Sequence, residues 1–262
     1  MLQTSTSRSI LADGNEMPAM VKETLVKNVI TKSNLPVCDY SVNPYVGCTH
    51  ACKYCYASFM KRFTGHTEQW GTFLDVKHWE PIKNPNKYCG KEFFIGSVTD
   101  PYNPQEAEYK RTRTFLEQLQ GSGAKISIQT KSDLVLRDIE LIKTFPDARV
   151  GFSINTLDEN FKNDMDQAVS IERCLTAMKI LHDAGVRTTC FISPIFPEIT
   201  NVEAIIGRVK DQCNLIWLEN LNLRRTSKSP PRKERNNAGI ARSRNYQKDN
   251  RAADNRQCNT KS

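Results

Sequence analysis

The chain has 262 residues, 37 Lys+Arg against 29 Asp+Glu for a formal net charge of +8, and 39% hydrophobic residues. That length suits one large α/β core or two small domains, and the composition excludes collagen, coiled coil and a small disulfide-stapled module. No run approaches the roughly 18 apolar residues of a membrane helix, and Met1 to Asn15 lacks the apolar centre of a signal peptide, so a cytoplasmic protein is expected.

The charge is unevenly placed. Residues 225–262 hold 11 Lys+Arg and 3 Asp+Glu, which leaves 26 of each sign in residues 1–224. A neutral body gives no electrostatic argument for nucleic acid, and phosphate binding would rest on the tail alone. Nine cysteines form an odd set for a secreted disulfide framework, and three of them fall within eight residues, so metal binding outranks disulfides.

Residues 1–19 are polar and aperiodic and read as a flexible leader. From Tyr40 the chain alternates strand and helix patterns. Strands are expected at Tyr40–Val46, Glu92–Thr99, Lys125–Thr130, Arg149–Asn155, Thr188–Ser193 and Leu215–Leu221. Helices are expected at Gln105–Leu119, Asp133–Thr144, Ile171–Ala184 and Asn201–Lys210, the last opened by a capping box of Thr200 and Glu203. This order demands parallel pairing with right-handed crossovers, hence an α/β fold, an open or partial (β/α)6 barrel.

Period-two alternation puts Gly151, Ser153 and Asn155 on one face of the fourth strand, opposite Val150, Phe152 and Ile154. The third strand repeats this, with Ser127, Gln129 and Lys131 opposite Ile126 and Ile128. Two such strands in succession predict a polar-lined cavity. Each strand also ends in polar residues, so a ligand is expected beyond the carboxyl ends. After Leu223 the sequence lacks the apolar periodicity of a sixth helix. Residues 225–262 read as a disordered basic arm, or as an aberrant tail that leaves the barrel without a proper last helix.

The most informative segment is Cys48-Thr-His-Ala-Cys52-Lys-Tyr-Cys55-Tyr56, directly after the first strand. Three thiolates at these gaps converge as iron-sulfur ligands, and the lack of a local fourth cysteine leaves one iron open to a ligand. A closed zinc site is the rival, but His50 is poorly placed to complete it from inside the same tight loop.

The C-x3-C-x2-C motif followed by an aromatic resembles the signature of radical S-adenosylmethionine (SAM) enzymes. Asn43 to Tyr56, Ser97-Val-Thr-Asp-Pro-Tyr102, Gln129-Thr-Lys-Ser132 and Gly151-Phe-Ser-Ile-Asn155 look like the spore photoproduct lyase branch. Within it the chain is most similar, over about Met20 to Leu223, to the group called radical SAM mobile pair protein B. The resemblance implies a [4Fe-4S] cluster on Cys48, Cys52 and Cys55 that chelates S-adenosylmethionine and cleaves it to methionine and a 5′-deoxyadenosyl radical. It implies Tyr54 and Tyr56 beside the cluster and adenine, and Thr99, Lys131, Ser153 and Asn155 as cofactor contacts, with Lys131 suited to the methionine carboxylate. It also implies a flavodoxin- or ferredoxin-like reductant and, from "mobile pair", a second radical SAM partner protein.

One departure matters. In the resemblance to the lyases, Ser97 aligns with a cysteine that returns a hydrogen atom, and an O–H bond is too strong for that role, which puts thymine-dimer repair in doubt. Substrate and catalytic residues stay unassigned, with a nucleic-acid-related substrate left open. Cys174 and Cys190 read as core thiols, while Cys38, Cys89 and Cys213 occupy element margins. The rivals to the enzyme reading are a noncatalytic iron-sulfur or zinc protein and an inactive half of a two-protein system.

Overall fold

The computed structural model describes residues 4–10 and 16–221, with side chains from residue 19 onward. The expectations for residues 225–262 and for a missing last helix lie outside the described residues. Eleven strands occur: β1 (Thr4–Ile10), β2 (Glu16–Leu25), β3 (Ile30–Lys32), β4 (Tyr40–Val42), β5 (Tyr45–Gly47), β6 (Phe73–His78), β7 (Glu92–Ile95), β8 (Lys125–Thr130), β9 (Ala148–Ser153), β10 (Arg187–Ile195) and β11 (Leu215–Asn220). The helices are α1 (Glu106–Tyr109), α2 (Arg111–Leu119), α3 (Ile139–Ile142), α4 (Glu159–Met165), α5 (Ile171–Asp183) and α6 (Val202–Val209).

The main sheet runs β11-β10-β9-β8-β7-β4-β3. Its strands from β4 to β11 are parallel and follow chain order, and β3 closes one edge antiparallel. This is the partial α/β barrel that the alternation demands. Ile126, Ile128, Val150, Phe152, Cys190 and Ile192 are buried in one core with Phe115, Leu116, Leu175, Met178 and Leu181 of the helices. The opposite face carries Ser127, Gln129 and Ser153, all half-buried. Gln129 Nε2 donates to Ser153 Oγ at 2.9 Å, so these polar positions share a face as the period-two pattern requires.

Several boundaries differ from the sequence expectation. The first strand is split: β4 joins the main sheet, whereas β5 pairs antiparallel with β6 in a second sheet of order β1-β2-β6-β5. Pro44 lies at the break; it has no N–H for a ladder, and its carbonyl accepts from Lys77 N at 3.0 Å. The second strand stops at Ile95, because Gly96 has φ +96° and turns the chain. The helix expected over Gln105–Leu119 is two helices separated by Lys110, at φ 51°. Asp133–Thr144 is a 3-10 turn, Asp133–Asp138, followed by α3.

The capping box is also replaced. Asn201 caps α6 by accepting from Ala204 N, and the Thr200 hydroxyl donates instead to the Asn155 carbonyl at 2.9 Å. Within the segment read as a leader, Thr4–Ile10 pairs antiparallel with Glu16–Lys22. The strands β3 and β6 and the helix α4 had no counterpart in the sequence reading: β3 spans three residues, α4 is polar, and β6 breaks the period-two alternation with Phe73 and Leu74 both buried.

Candidate active site at the cysteine loop

The loop carrying Cys48, Cys52 and Cys55 leaves β5 and passes into a 3-10 helix, Tyr56–Phe63, before returning through β6. Its turn is tight. Ala51 holds φ 49°, a left-handed value rare for alanine, and its N–H donates to the Cys48 carbonyl at 3.3 Å. Gly47 has φ +89°, and a Cβ there would lie 2.3 Å from the Phe73 carbonyl oxygen. Only glycine allows β5 to pass so close to β6 at the first cysteine.

Strand ends from around the sheet hold the loop. Thr99, after β7, donates its hydroxyl to the Gly47 carbonyl at 2.5 Å. Asn43, after β4, donates to Ser97 Oγ at 2.9 Å and accepts from Val98 N. The Tyr56 hydroxyl donates to the Ser97 carbonyl. Below the loop, His50 Nε2 lies 3.1 Å from Asp100 Oδ2, both side chains buried, although the alignment falls short of a hydrogen bond. Asp100 also accepts from Tyr102 N, Thr130 Oγ1 and Lys131 N. Burial opposes ionisation of that carboxyl, but His50 and these donors outweigh it and hold its pKa below the usual carboxylate value.

A second cluster closes the other side. Asp166, just past α4, accepts from the Tyr54 hydroxyl at 2.8 Å and pairs with Lys131 Nζ at 3.1 Å. Lys131 Nζ also stands 5.6 Å from the centroid of the Tyr54 ring, within cation-π range. The Tyr54 ring packs edge-on against Phe196, beyond β10. Burial opposes the charge on Lys131, but the Tyr54 contact and the Asp166 carboxylate outweigh it and hold its pKa above the ordinary lysine value. Backbone bonds from Lys53 N to the Met165 carbonyl and from Gln167 N to the His50 carbonyl fasten the loop to this segment.

The structure thus brings Cys48, Cys52, Cys55, Tyr54, Thr99 and Lys131 to one end of the sheet. Tyr56 joins them through Ser97. Ser153 lies on the polar face beside Gln129, and Asn155 is buried just past β9. Lys131, Ser153 and Asn155 also border one small cavity, of about 20 Å³. Asp166, Asp100 and Gln129 were not singled out as site residues by sequence. Asp166 gave no signal, since nothing local marks a carboxylate that meets Lys131 from 35 positions away.

The donor set suits an iron-sulfur cluster. Burial raises the Cys48 thiol well above its usual pKa, and the charges of Asp100, Cys52 and Cys55 raise it further. Burial likewise raises Cys52 and Cys55. Cys48, Cys52 and Cys55 stand close enough to act on one another's charge, and three soft sulfur donors gathered in one loop are the set an iron-sulfur cluster takes. Among the described residues no three His, Cys, Asp or Glu side chains are placed to hold a single metal ion. A cubane binds each thiolate to a different iron, so its ligands stand farther apart than those of one ion. Asn155 Nδ2 and Gln105 Nε2 are buried donors without an acceptor among the described residues. No helix of the described residues is long and apolar enough to cross a membrane.

Comparisons with known proteins agree with this geometry. A protein of Methanocaldococcus jannaschii is 40% identical over 199 residues, covering 76% of each chain. A protein of Acidianus two-tailed virus is 33% identical over 171 residues, 60% of this chain and 56% of its own length. Among solved structures, spore photoproduct lyase complexed with dinucleoside spore photoproduct aligns with a TM-score of 0.53 at 15% identity. That alignment covers 73% of this chain and 58% of the lyase. Streptococcus suis SuiB bound to S-adenosylmethionine aligns with a TM-score of 0.50 at 13% identity, covering 74% and 43%. These two likenesses are of fold, and this chain spans roughly half the length of each. The family model for the Radical SAM superfamily matches residues 42–206, which contain the whole cysteine loop and the strand ends that hold it, and the chain belongs to that superfamily.

Proposed function

We propose that this protein binds a [4Fe-4S] cluster through Cys48, Cys52 and Cys55 and uses it with S-adenosylmethionine to start radical chemistry on a substrate not yet identified. The observation that carries this reading is the gathering of the three thiols in one loop that meets the segments after β7, α4 and β10, at the carboxyl end of the parallel sheet. The cluster and cofactor together would supply one-electron cleavage of the sulfonium C–S bond, yielding methionine and a 5′-deoxyadenosyl radical.

The chain's own residues supply placement and a dry wall. Lys131, held charged by Asp166 and Tyr54, is the cation suited to a cofactor carboxylate, and Asn155 Nδ2 is an unspent donor near it. Ser153 and Gln129 line the polar face where an adenosyl group and substrate would meet. Fixed dipoles in a water-poor site protect a reactive intermediate and need no rearrangement at the moment of reaction. Ser97 is engaged by Asn43 and carries no S–H bond, so the reaction differs from lyase repair in its hydrogen donor. An external protein of flavodoxin or ferredoxin type would supply the electron, and a second radical SAM protein is a candidate partner.

The test is anaerobic reconstitution of the full chain with iron and sulfide, then dithionite and S-adenosylmethionine, with chromatography for 5′-deoxyadenosine. Cluster-dependent product that disappears in Cys52→Ala is expected. A loaded metal site that never cleaves the cofactor would refute the enzyme reading in favour of a structural cluster.

A further inference from the structure

The sheet face opposite the helices runs on past β9 to side chains that neither the cysteine loop nor the cofactor contacts use. Register partners in a parallel sheet share a face. Ser153 of β9 pairs with Phe191 of β10, and Phe191 pairs with Trp217 of β11. The positions just before them, Phe152, Cys190 and Ile216, pack in the helix-side core. Ser153, Phe191 and Trp217 therefore form one row on the lumen face. Phe191 is half-buried, whereas Trp217 is 42% exposed, so an indole fixed on a strand leaves much of its ring open to a ligand.

Two residues nearer the carboxyl end, the period of two brings Glu219 to the same face as Trp217. Ser193 Oγ donates to Glu219 Oε2 at 3.1 Å and joins β10 to β11 there. Glu219 is exposed and makes no ion pair among the described residues, while Lys131 is already paired with Asp166. Two aromatic rings and one carboxylate without a cation thus continue the wall that Gln129 and Ser153 begin.

This combination discriminates between ligands by charge. A neutral planar ring could stack on Trp217, but closing over that end of the strand would take water from the Glu219 carboxylate and leave it without a partner. An organic cation satisfies both kinds of group, since ring faces attract positive charge and the carboxylate balances it.

We propose that Phe191, Trp217 and Glu219 form a substrate subsite for an organic cation, a protonated amine or a quaternary ammonium group. A substrate held there extends along the row through Ser153 towards the cysteine loop. The proposal rests on the reading of this end of the sheet as a reaction chamber.

The experiment uses the full chain, reconstituted anaerobically with iron and sulfide, and probes it at constant ionic strength with choline. The uncharged carbon analogue 3,3-dimethylbutan-1-ol and the neutral planar ring of thymidine serve as comparisons. Indole ¹H–¹⁵N signals are followed by NMR; the chain has three tryptophans, and Trp217→Phe identifies the signal of Trp217. Choline is expected to shift that signal saturably, the alcohol is expected to leave it in place, and Glu219→Gln should raise the Kd for choline about tenfold or more. Glutamine keeps an oxygen for the Ser193 hydroxyl and sits at an exposed position, so the variant tests charge alone. Equal shifts from choline and the alcohol, an unchanged Kd in Glu219→Gln, or a response to thymidine only would each overturn the cation subsite. Choline binding needs no cleavage of S-adenosylmethionine, so the two readings fail separately. A chain that yields 5′-deoxyadenosine but ignores choline loses the subsite alone, and one that binds choline but never loads iron keeps the cation site and loses the radical chemistry.

Discussion

Asp166→Asn isolates one charge in the wall of the site. Asp166 is 1% and Lys131 13% exposed, so the pair at 3.1 Å is largely desolvated. Removing one partner of a buried pair costs about 3–5 kcal/mol, because the remaining charge is left without compensation. Asparagine keeps one carbonyl oxygen for the Ala168 N–H, and its amide NH2, standing where Oδ2 took the Tyr54 hydroxyl, can donate to that hydroxyl once it rotates; Lys131 keeps some contact with water, so we place the loss near the lower end, about 3 kcal/mol. Urea denaturation followed by fluorescence and circular dichroism should show a lower midpoint with an unchanged slope. Coincidence of the two probes checks that one transition is being measured.

The pH dependence gives a second reading of the same substitution. Burial would raise the Asp166 pKa, but Lys131, Tyr54 and the Ala168 N–H outweigh it and lower the value below the ordinary 3.8. A depressed carboxyl contributes stability that is present above the unfolded pKa and lost as pH falls through the folded one. The wild type should therefore lose stability below about pH 4, and Asp166→Asn should flatten that limb. Lys131→Met in the Asp166→Asn background should recover part of the loss, since the stranded cation is gone. A loss under about 0.5 kcal/mol, or additive single and double variants, would refute the claim that this pair is closed to solvent.

Other outcomes follow from the same structure. Gly47→Ala sets a Cβ 2.3 Å from the Phe73 carbonyl at φ +89°, so it should cost about 2–4 kcal/mol in thermal or urea unfolding and reduce iron uptake. Glu106→Gln disturbs a fully buried carboxylate that accepts from Tyr45, Thr112 N, Arg113 N and Arg137; a loss of about 3 kcal/mol or more is expected by urea titration. Tyr54→Phe removes one hydrogen bond to Asp166 but keeps the ring against Phe196, so about 1 kcal/mol should be lost, with cluster loading retained in an iron assay. Leu116→Ala empties a core position remote from the loop, costing about 2–5 kcal/mol in denaturation while the folded fraction still binds iron.

The legible parts of this protein were those written in local pattern. The alternation in Lys125–Thr130 and Arg149–Asn155 located β8 and β9 and told the helix-facing side chains from Ser127, Gln129 and Ser153. The burial of Cys174 and Cys190 also followed from their apolar neighbours, and their thiols are pushed up to about 12 by that burial. The close approach of Gly71 and Phe73 to the cysteine loop was not legible, because a glycine in a polar stretch does not announce what it will touch. Nor was Asp166, whose charge acquires meaning only when α4 returns it to Lys131.

The sequence by itself determined the donor chemistry and the class of fold: three thiols at fixed short gaps, and strands alternating with helices, which can pair only in parallel. Those are properties of neighbours along the chain, set by period and spacing. Tertiary structure alone decided which groups surround the thiols. The split at Pro44 sends β5 into a second sheet, so the loop is gripped between β6 and the ends of the main strands. There the hydroxyl of Thr99 meets a backbone carbonyl and Lys131 meets Asp166. Such pairings join residues far apart in the chain, and their strength depends on exclusion of water, which exists only once the core has closed.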